Sequence, residues 1–260
     1  MSAGAVLAAP PPAVLGQFGD AIEFIFQERT GPGGAQVGGS QLLDLIWTHL
    51  ELSFSAMAIA IAIGLPIGLW LGHTRRGSFV AVTVANVGRA VPSIGLVFLF
   101  FAVLGAGFAN IMLALVLLAI PPILTNAYTG VREVEPDVVD AARGMGMTGA
   151  EVVRRIELPL ALPLIMAGIR VSAVNVIATA TLGPEGGVVT LGDPIINPTS
   201  YGSAGRLGAA IVVAALAVAA EVGFGALERA VTPKGITTRQ TRRGPLTARL
   251  PLAKRRAQTT

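Results

Sequence analysis

Five apolar runs, each close to the ~20 residues that a helix needs to cross the hydrocarbon core of a bilayer, dominate this chain: about Leu52–Gly72, Phe79–Leu104, Ile111–Val131, Leu160–Leu182 and Leu207–Leu227. Helices are the expected spans. Lipid leaves open backbone groups unsatisfied, and barrel strands alternate polar and apolar residues instead of running apolar throughout. The charged fraction supports this, at 13% of 260 residues, about half of what a soluble domain carries, ~25%. With no cysteine, disulfides and thiolate metal sites are excluded, and two histidines, His49 and His73, are too few for a typical imidazole cluster. Neither a metal nor a cofactor is expected.

The flanks of the runs set an orientation, because Lys and Arg collect on the cytoplasmic side. The first run ends at His73-Thr74-Arg75-Arg76. The third ends at Arg132 and leads into a loop with Arg143, Arg154 and Arg155. The fifth ends in a tail that holds eight of the nineteen Lys and Arg residues, with no acid after Glu228. Residues 1–51 hold five acids and one base, Arg29, and the loop Gly183–Gly205 holds Glu185 and Asp193 but no base. Five spans with N-out and C-in agree with every loop. Trp47 and Trp70, 23 positions apart, are separated by ~34 Å at the rise of a helix and place one Trp near each interface. The tail directly follows a hydrophobic run, so it marks the cytoplasmic side and not a nucleic-acid partner. Residues 1–45 form an external extension without a convincing signal peptide. In it Gly31–Ser40 is expected to be flexible and Phe18–Phe26 to lie on the outer surface as an interfacial helix. Residues 46–230 form the membrane domain, and 231–260 a basic, disordered cytoplasmic tail.

The longest cytoplasmic stretch between spans is Glu133–Pro159, and it is strongly punctuated. Pro136 suits the first turn of a short helix, with Asp137 near its positive end and Arg143 in its last turn. Gly144 and Gly146 permit a left-handed turn. Thr148 and Glu151 form a capping box that opens a second helix, and Pro159 calls for a break or kink. Physically this helix-turn-helix is either an elbow that docks in a groove on a soluble partner, with Ala141, Ala142 and Gly146 allowing close approach, or a plain amphipathic linker at the membrane surface.

The residues Asp140-Ala141-Ala142, then Gly146, then Ile156-x-Leu158-Pro159 resemble the cytoplasmic "EAA" signature of ATP-binding-cassette (ABC) importer permeases, with all gaps kept and Asp140 standing for the usual Glu. Over about residues 45–230 the likeness narrows to permeases for glycine betaine, carnitine and choline. It is carried by Asn86-Val87-Gly88-Arg89-Ala90-Val91-Pro92-Ser93, Ala141–Met147, Glu157–Pro163, Met166–Arg170, Thr179–Leu182 and Leu191–Ile195. A departure lies in Gly183–Thr190, where that family typically has a Phe-Ile-Gly-Ala-Gly-Gly type of stretch in a candidate outer gate. The resemblance implies an all-α, polytopic bundle of the type-I importer kind in a bacterial cell membrane. It further implies a coupling loop gripped by ABC ATPase subunits, a second permease subunit (identical or homologous) and an extracytoplasmic substrate-binding protein. The cargo it implies is an osmoprotectant, with another small zwitterion or an amino acid as the alternative.

Polar groups inside the runs are functional candidates, since they are costly there. Asn86, Arg89, Pro92 and Asn175 are the candidates for a pathway, with a bend at Pro92 as a gate; the bland reading of Arg89 is packing plus snorkelling. Arg170 and Glu221 sit at equal depth, ~10 Å from the cytoplasmic side at the rise of a helix, and either pair or snorkel separately. Gly64, Gly68 and Gly72 read as a ladder for close helix packing. Trp47, Trp70, Tyr128 and Tyr201 are too scattered to form a cation cage, which places tight binding on a separate receptor. No nucleophile–base pair and no Gly-x-x-x-x-Gly-Lys-Ser/Thr phosphate loop is present, so any ATP hydrolysis belongs to another chain. A secondary transporter is the rival class, but five spans without a visible repeat fit it poorly.

Overall fold

The computed structural model describes residues 11–31, 34, 36–75 and 78–232. In chain order these form α1 (Pro11–Phe26), an antiparallel hairpin of β1 (Glu28–Thr30) and β2 (Gln36–Gly38), α2 (Ser40–Thr74), α3 (Ser78–Ala90), α4 (Ser93–Leu104), α5 (Phe108–Arg132), α6 (Pro136–Gly144), α7 (Gly149–Val152), α8 (Leu158–Thr179), α9 (Gly192–Ile196) and α10 (Pro198–Val231). Among the described residues four helices are long and apolar enough to cross a membrane: α2, α5, the continuous stretch Gly149–Gly186 that contains α7 and α8, and α10. Most of the expected basic tail lies outside the described residues.

The run Phe79–Leu104 is not one helix but two, α3 and α4, broken at Val91–Pro92. Pro92 sits at φ −65°, ψ 125° and precedes the first turn of α4, so the expected bend is a full break. Proline has no N–H to donate and its ring clashes with the preceding turn, which explains the interruption. At Pro159 the outcome is the opposite. Of the expected break or kink, the break does not occur: residues Val153–Glu157 form a π turn, an irregularity at which helices kink, in which Leu158 N–H reaches back to the Val153 carbonyl. The wider turn absorbs the missing donor and the helix runs on. Two further boundaries move: α2 starts at Ser40, twelve positions before Leu52, and α10 starts at Pro198 ahead of Leu207.

The centre of the bundle is the contact of α2 with α5. A stripe of buried residues at spacing four, Leu52, Ala56, Ala60, Gly64, Gly68 and Gly72, runs down α2. Its side chains shrink from Leu through Ala to Gly, so the two parallel helices can close on each other toward their C-terminal ends. A Cβ on Gly64 would stand 3.3 Å from the Ile120 carbonyl oxygen, one on Gly68 2.6 Å from that of Leu124, and one on Gly72 2.7 Å from Val131 Cβ. Lipid removes the hydrophobic drive between spans, and such close backbone approach supplies dispersion contacts in its place. On its other side α5 packs antiparallel against α8, with Ile123, Ala127 and Val131 meeting Ala161, Ile165 and Ala173 in one core and Ser172 Oγ donating to the Ala119 carbonyl at 2.9 Å.

α10 lies against α8, and α1 packs on α10. In α1, Ala21 and Phe24 are buried while Phe18, Ile22 and Phe26 stay exposed. The Phe24 ring meets Tyr201 edge-on at 6.5 Å. Within Gly31–Ser40, residues 36–38 form β2 and Ser40 opens α2. Gly31 lies against the Ser200 carbonyl so closely that no Cβ fits there. Trp47 and Trp70 are 72% and 65% exposed at the two ends of α2, the placement expected for interfacial anchors.

Replacing Gly68 with Ala should lower the thermal unfolding midpoint in detergent, by an overpacking cost of about 1–3 kcal/mol. Gly223→Ala, with no atom within 4 Å of the new methyl, should leave it unchanged or raise it slightly.

Candidate functional site: an elbow and a polar cavity

The elbow begins where α5 ends. Pro136 opens α6, with Asp137 in its first turn and Arg143 in its last. Gly146 adopts φ 86°, a left-handed conformation that favours glycine. Around it Met145 N–H bonds to the Ala141 carbonyl and Met147 N–H to the Ala142 carbonyl, which closes the carbonyl end of α6. Gly144 remains helical and contributes no left-handed turn. Thr148 then caps α7: Glu151 N–H bonds to Thr148 Oγ1, and Glu151 Oε2 accepts from the Thr148 N–H at 2.9 Å.

The elbow has a small core of its own, Val134, Val139, Ala142 and Val152, with Met147 and Ile156 against it. This divides the motif residues into two sets. Ala142 is buried inside the elbow, whereas Asp140, Ala141 and Gly146 face outward beside Met145, which is 71% exposed. Ile156, Leu158 and Pro159 are half-buried at the root, where the elbow joins α8. An exposed, rigid knob of small residues and one flexible methionine is a shape that can enter a groove.

The pathway candidates surround a cavity of about 470 Å³ between the α3–α4 break, α5 and α8. Asn175 lines it, and Gly88, Val91 and Ser93 bracket the break at Pro92. Asn86 and Pro92 are exposed beside it without lining it, and the side chain of Arg89 lies outside the described part of the structure. Thr125, Asn126 and Thr179 also line the cavity, and the sequence offered no signal for them beyond polarity within apolar runs. The pair Pro121-Pro122 in α5 is at the wall. Neither proline has an N–H for the carbonyl four residues back, so the Leu117 and Leu118 carbonyls lose their helical donors. Thr125 Oγ1 and Asn126 Nδ2 donate to the Pro121 and Pro122 carbonyls at 2.7 and 2.8 Å. Among the described residues the wall thus mixes polar and apolar groups and holds no charged residue, Trp or Tyr.

Arg170 joins α8 to α10. Its guanidinium lies 3.5 Å from Glu221 and 3.7 Å from Glu228, two carboxylates seven residues apart on one face. The expected partner was Glu221 alone. A second contact had no clear trace in the chain: His73 Nδ1, at the end of α2, lies 2.8 Å from Glu157 Oε2 in the π turn. At the other end of the bundle, Gly183–Thr190 is tightly held. Thr190 Oγ1 donates to the Ala180 carbonyl and Gly107 N–H to that of Gly186.

Residues 64–233 match the family described as binding-protein-dependent transport system inner membrane component. The chain belongs to that family. As an inner membrane component of such a system it is a multi-pass transport permease of the bacterial cell membrane, not a catalytic subunit. Similar curated proteins include the carnitine transport permease protein OpuCB of Listeria monocytogenes, 38% identical over 86% of this chain and 99% of that protein. The glycine betaine/carnitine/choline transport system permease protein OpuCB of Bacillus subtilis is 36% identical over 77% of this chain and 93% of that one. Among solved structures, an inward-facing form of the MetNI methionine ABC transporter superposes with a TM-score of 0.64 at 23% identity, over 74% of this chain and 96% of that one. That likeness shows the fold, the helical bundle of ABC importer permeases.

Thr148→Ala in this permease should cost about 1 kcal/mol at the N-cap. Amide exchange over residues 148–157 should accelerate, with the rest of the bundle unaffected.

Proposed function

We propose that this permease carries quaternary-ammonium osmoprotectants of the glycine betaine, carnitine and choline class into the cell. The observation that carries the reading is its 38% identity along nearly the whole length of a carnitine permease. The elbow end collects Arg75, Arg132, Arg143, Arg154 and Arg155, while Glu23, Glu28, Glu185 and Asp193 lie toward the other end. The elbow is therefore cytoplasmic, the amino-terminal segment external and the chain N-out, C-in.

On this reading the outward set of the motif, Asp140, Ala141 and Gly146, seats in a groove on a separate ABC ATPase subunit. Ala142, Ile156, Leu158 and Pro159 hold the elbow's shape and join it to α8. A second permease subunit, the same or homologous, closes the side of the cavity that α3–α4, α5 and α8 leave open. Asn175, with the break at Pro92 and the neighbouring Asn86 and Arg89, belongs to the passage. Arg170 with Glu221 is structural and keeps α10 on α8.

The passage chemistry suits a cargo that must not stay. A quaternary ammonium group is usually held by aromatic rings, and none of the Trp or Tyr side chains lines the cavity. Amide, hydroxyl and carbonyl dipoles can solvate a zwitterion without trapping it. Tight selection then belongs to an extracytoplasmic binding protein that delivers the solute.

Proteoliposomes holding the permease, its ATPase and its receptor should accumulate labelled glycine betaine or choline with ATP, and the permease alone should not. Accumulation by the lone chain in response to an ion gradient would instead favour a secondary transporter. Ala141→Arg should abolish co-purification of the ATPase. Asn175→Leu should leave co-purification intact and lower uptake by about tenfold, an effect near 1.4 kcal/mol.

A further inference from the structure

Glu157 is the one buried carboxylate among the described residues, with 3% of its surface exposed. A carboxylate taken out of water is costly unless it is paired, so its one side-chain partner among the described residues carries weight. That partner is His73, with Nδ1 2.8 Å from Glu157 Oε2. The other side of the imidazole faces the first residue of α7: a Cβ on Gly149 would stand 3.4 Å from His73 Nε2. The histidine ring therefore sits between the two ends of the short elbow helix and its π turn.

The location matters because of what is and is not joined by the chain. α8 continues directly from the elbow, and α5 enters it through residues 133–135. α2 has no such connection. Its end is fixed by Arg75, which turns left-handed at φ 57° with its N–H on the Gly72 carbonyl, and the Arg132 guanidinium reaches the Arg75 carbonyl at 3.5 Å. Among the described residues, His73–Glu157 is the only side-chain hydrogen bond between α2 and the elbow. From His73 backward, α2 is bound to α5 by the Gly64, Gly68 and Gly72 contacts, and α5 bears the Pro121-Pro122 wall of the cavity.

We propose that His73 and Glu157 are positioning residues for transport: they tie α2 to the elbow, so that a displacement of the elbow moves the α2–α5 pair together with α8. The proposal rests on the elbow being the ATPase dock. Without the tie the elbow and α8 follow the ATPase while α2 lags, and the cavity wall does not reshape in step. ATP is then hydrolysed without a matching import of solute. The π turn contributes by placing Glu157 inward at a point where Pro159 would otherwise interrupt the helix.

The test uses the full complex of permease, ATPase and receptor in proteoliposomes, and reads labelled glycine betaine imported per ATP hydrolysed. Glu157→Leu and His73→Ala should each lower this ratio about tenfold, within the range for residues that couple distant sites, while the ATPase still co-purifies. Glu157→Gln, which keeps an oxygen to accept from the ring, should stay close to the unaltered ratio. The chain has no cysteine, so a His73→Cys, Glu157→Cys pair can be joined selectively by a short thiol cross-linker. The unlinked pair should be uncoupled and the linked pair should regain coupling. A parallel fall of uptake and ATP hydrolysis, an unchanged ratio in the single variants, or no recovery on cross-linking would overturn the proposal. Ala141→Arg separates the two readings: if that variant retains the ATPase, the docking reading fails, whatever the histidine variants do.

Discussion

The contact on which the rest of the bundle depends is the approach of α2 to α5 over Gly64, Gly68 and Gly72. In lipid, apolar side chains gain little by leaving one apolar surrounding for another, so helices associate where backbones can come close. The stripe from Leu52 to Gly72 achieves this by shedding side-chain volume toward one end. That end is where the elbow is rooted, where the Arg132 guanidinium reaches the Arg75 carbonyl and where His73 meets Glu157. The close packing of α2 on α5 and the candidate coupling machinery thus share one end of the molecule, while the opposite end holds α1, the hairpin and the Gly183–Thr190 segment.

Proline gives the bundle its variety. The same missing N–H has different consequences in different surroundings. At Pro92 the helix breaks and its two halves border a cavity. At Pro159 one π turn restores the pairing and delivers Glu157 to the interior. At Pro121-Pro122 the helix persists, the Leu117 and Leu118 carbonyls lose their helical donors, and Leu118 lines the cavity. Lipid forbids unsatisfied backbone in contact with it, so each defect must face protein or an aqueous space; Gly88 and Leu118, each four residues before a proline, line the cavity.

A transport function divides between these parts. The elbow presents small residues on a two-helix frame, and the described wall of the cavity presents dipoles. Arg170 contacts two carboxylates on α10, and neither Glu221 nor Glu228 lines the cavity. The permease's family is a transport component and not a catalytic one.

The helical class, the number of apolar runs, the elbow with its capping box and the glycine ladder were all legible in the residues, because each depends on local rules: run length, i to i+4 spacing, cap chemistry and the sterics of glycine and proline. Proline's local rule also gives the loss of a donor, but not whether the helix breaks, widens or persists; neighbouring helices decide that, and so Pro92 and Pro159 came out differently. The second carboxylate on Arg170, the polar set Thr125, Asn126 and Thr179, and the pairing of His73 with Glu157 across 84 positions belong to tertiary structure alone. Each joins residues distant in the chain, and no periodicity records which turn of one helix will face which turn of another.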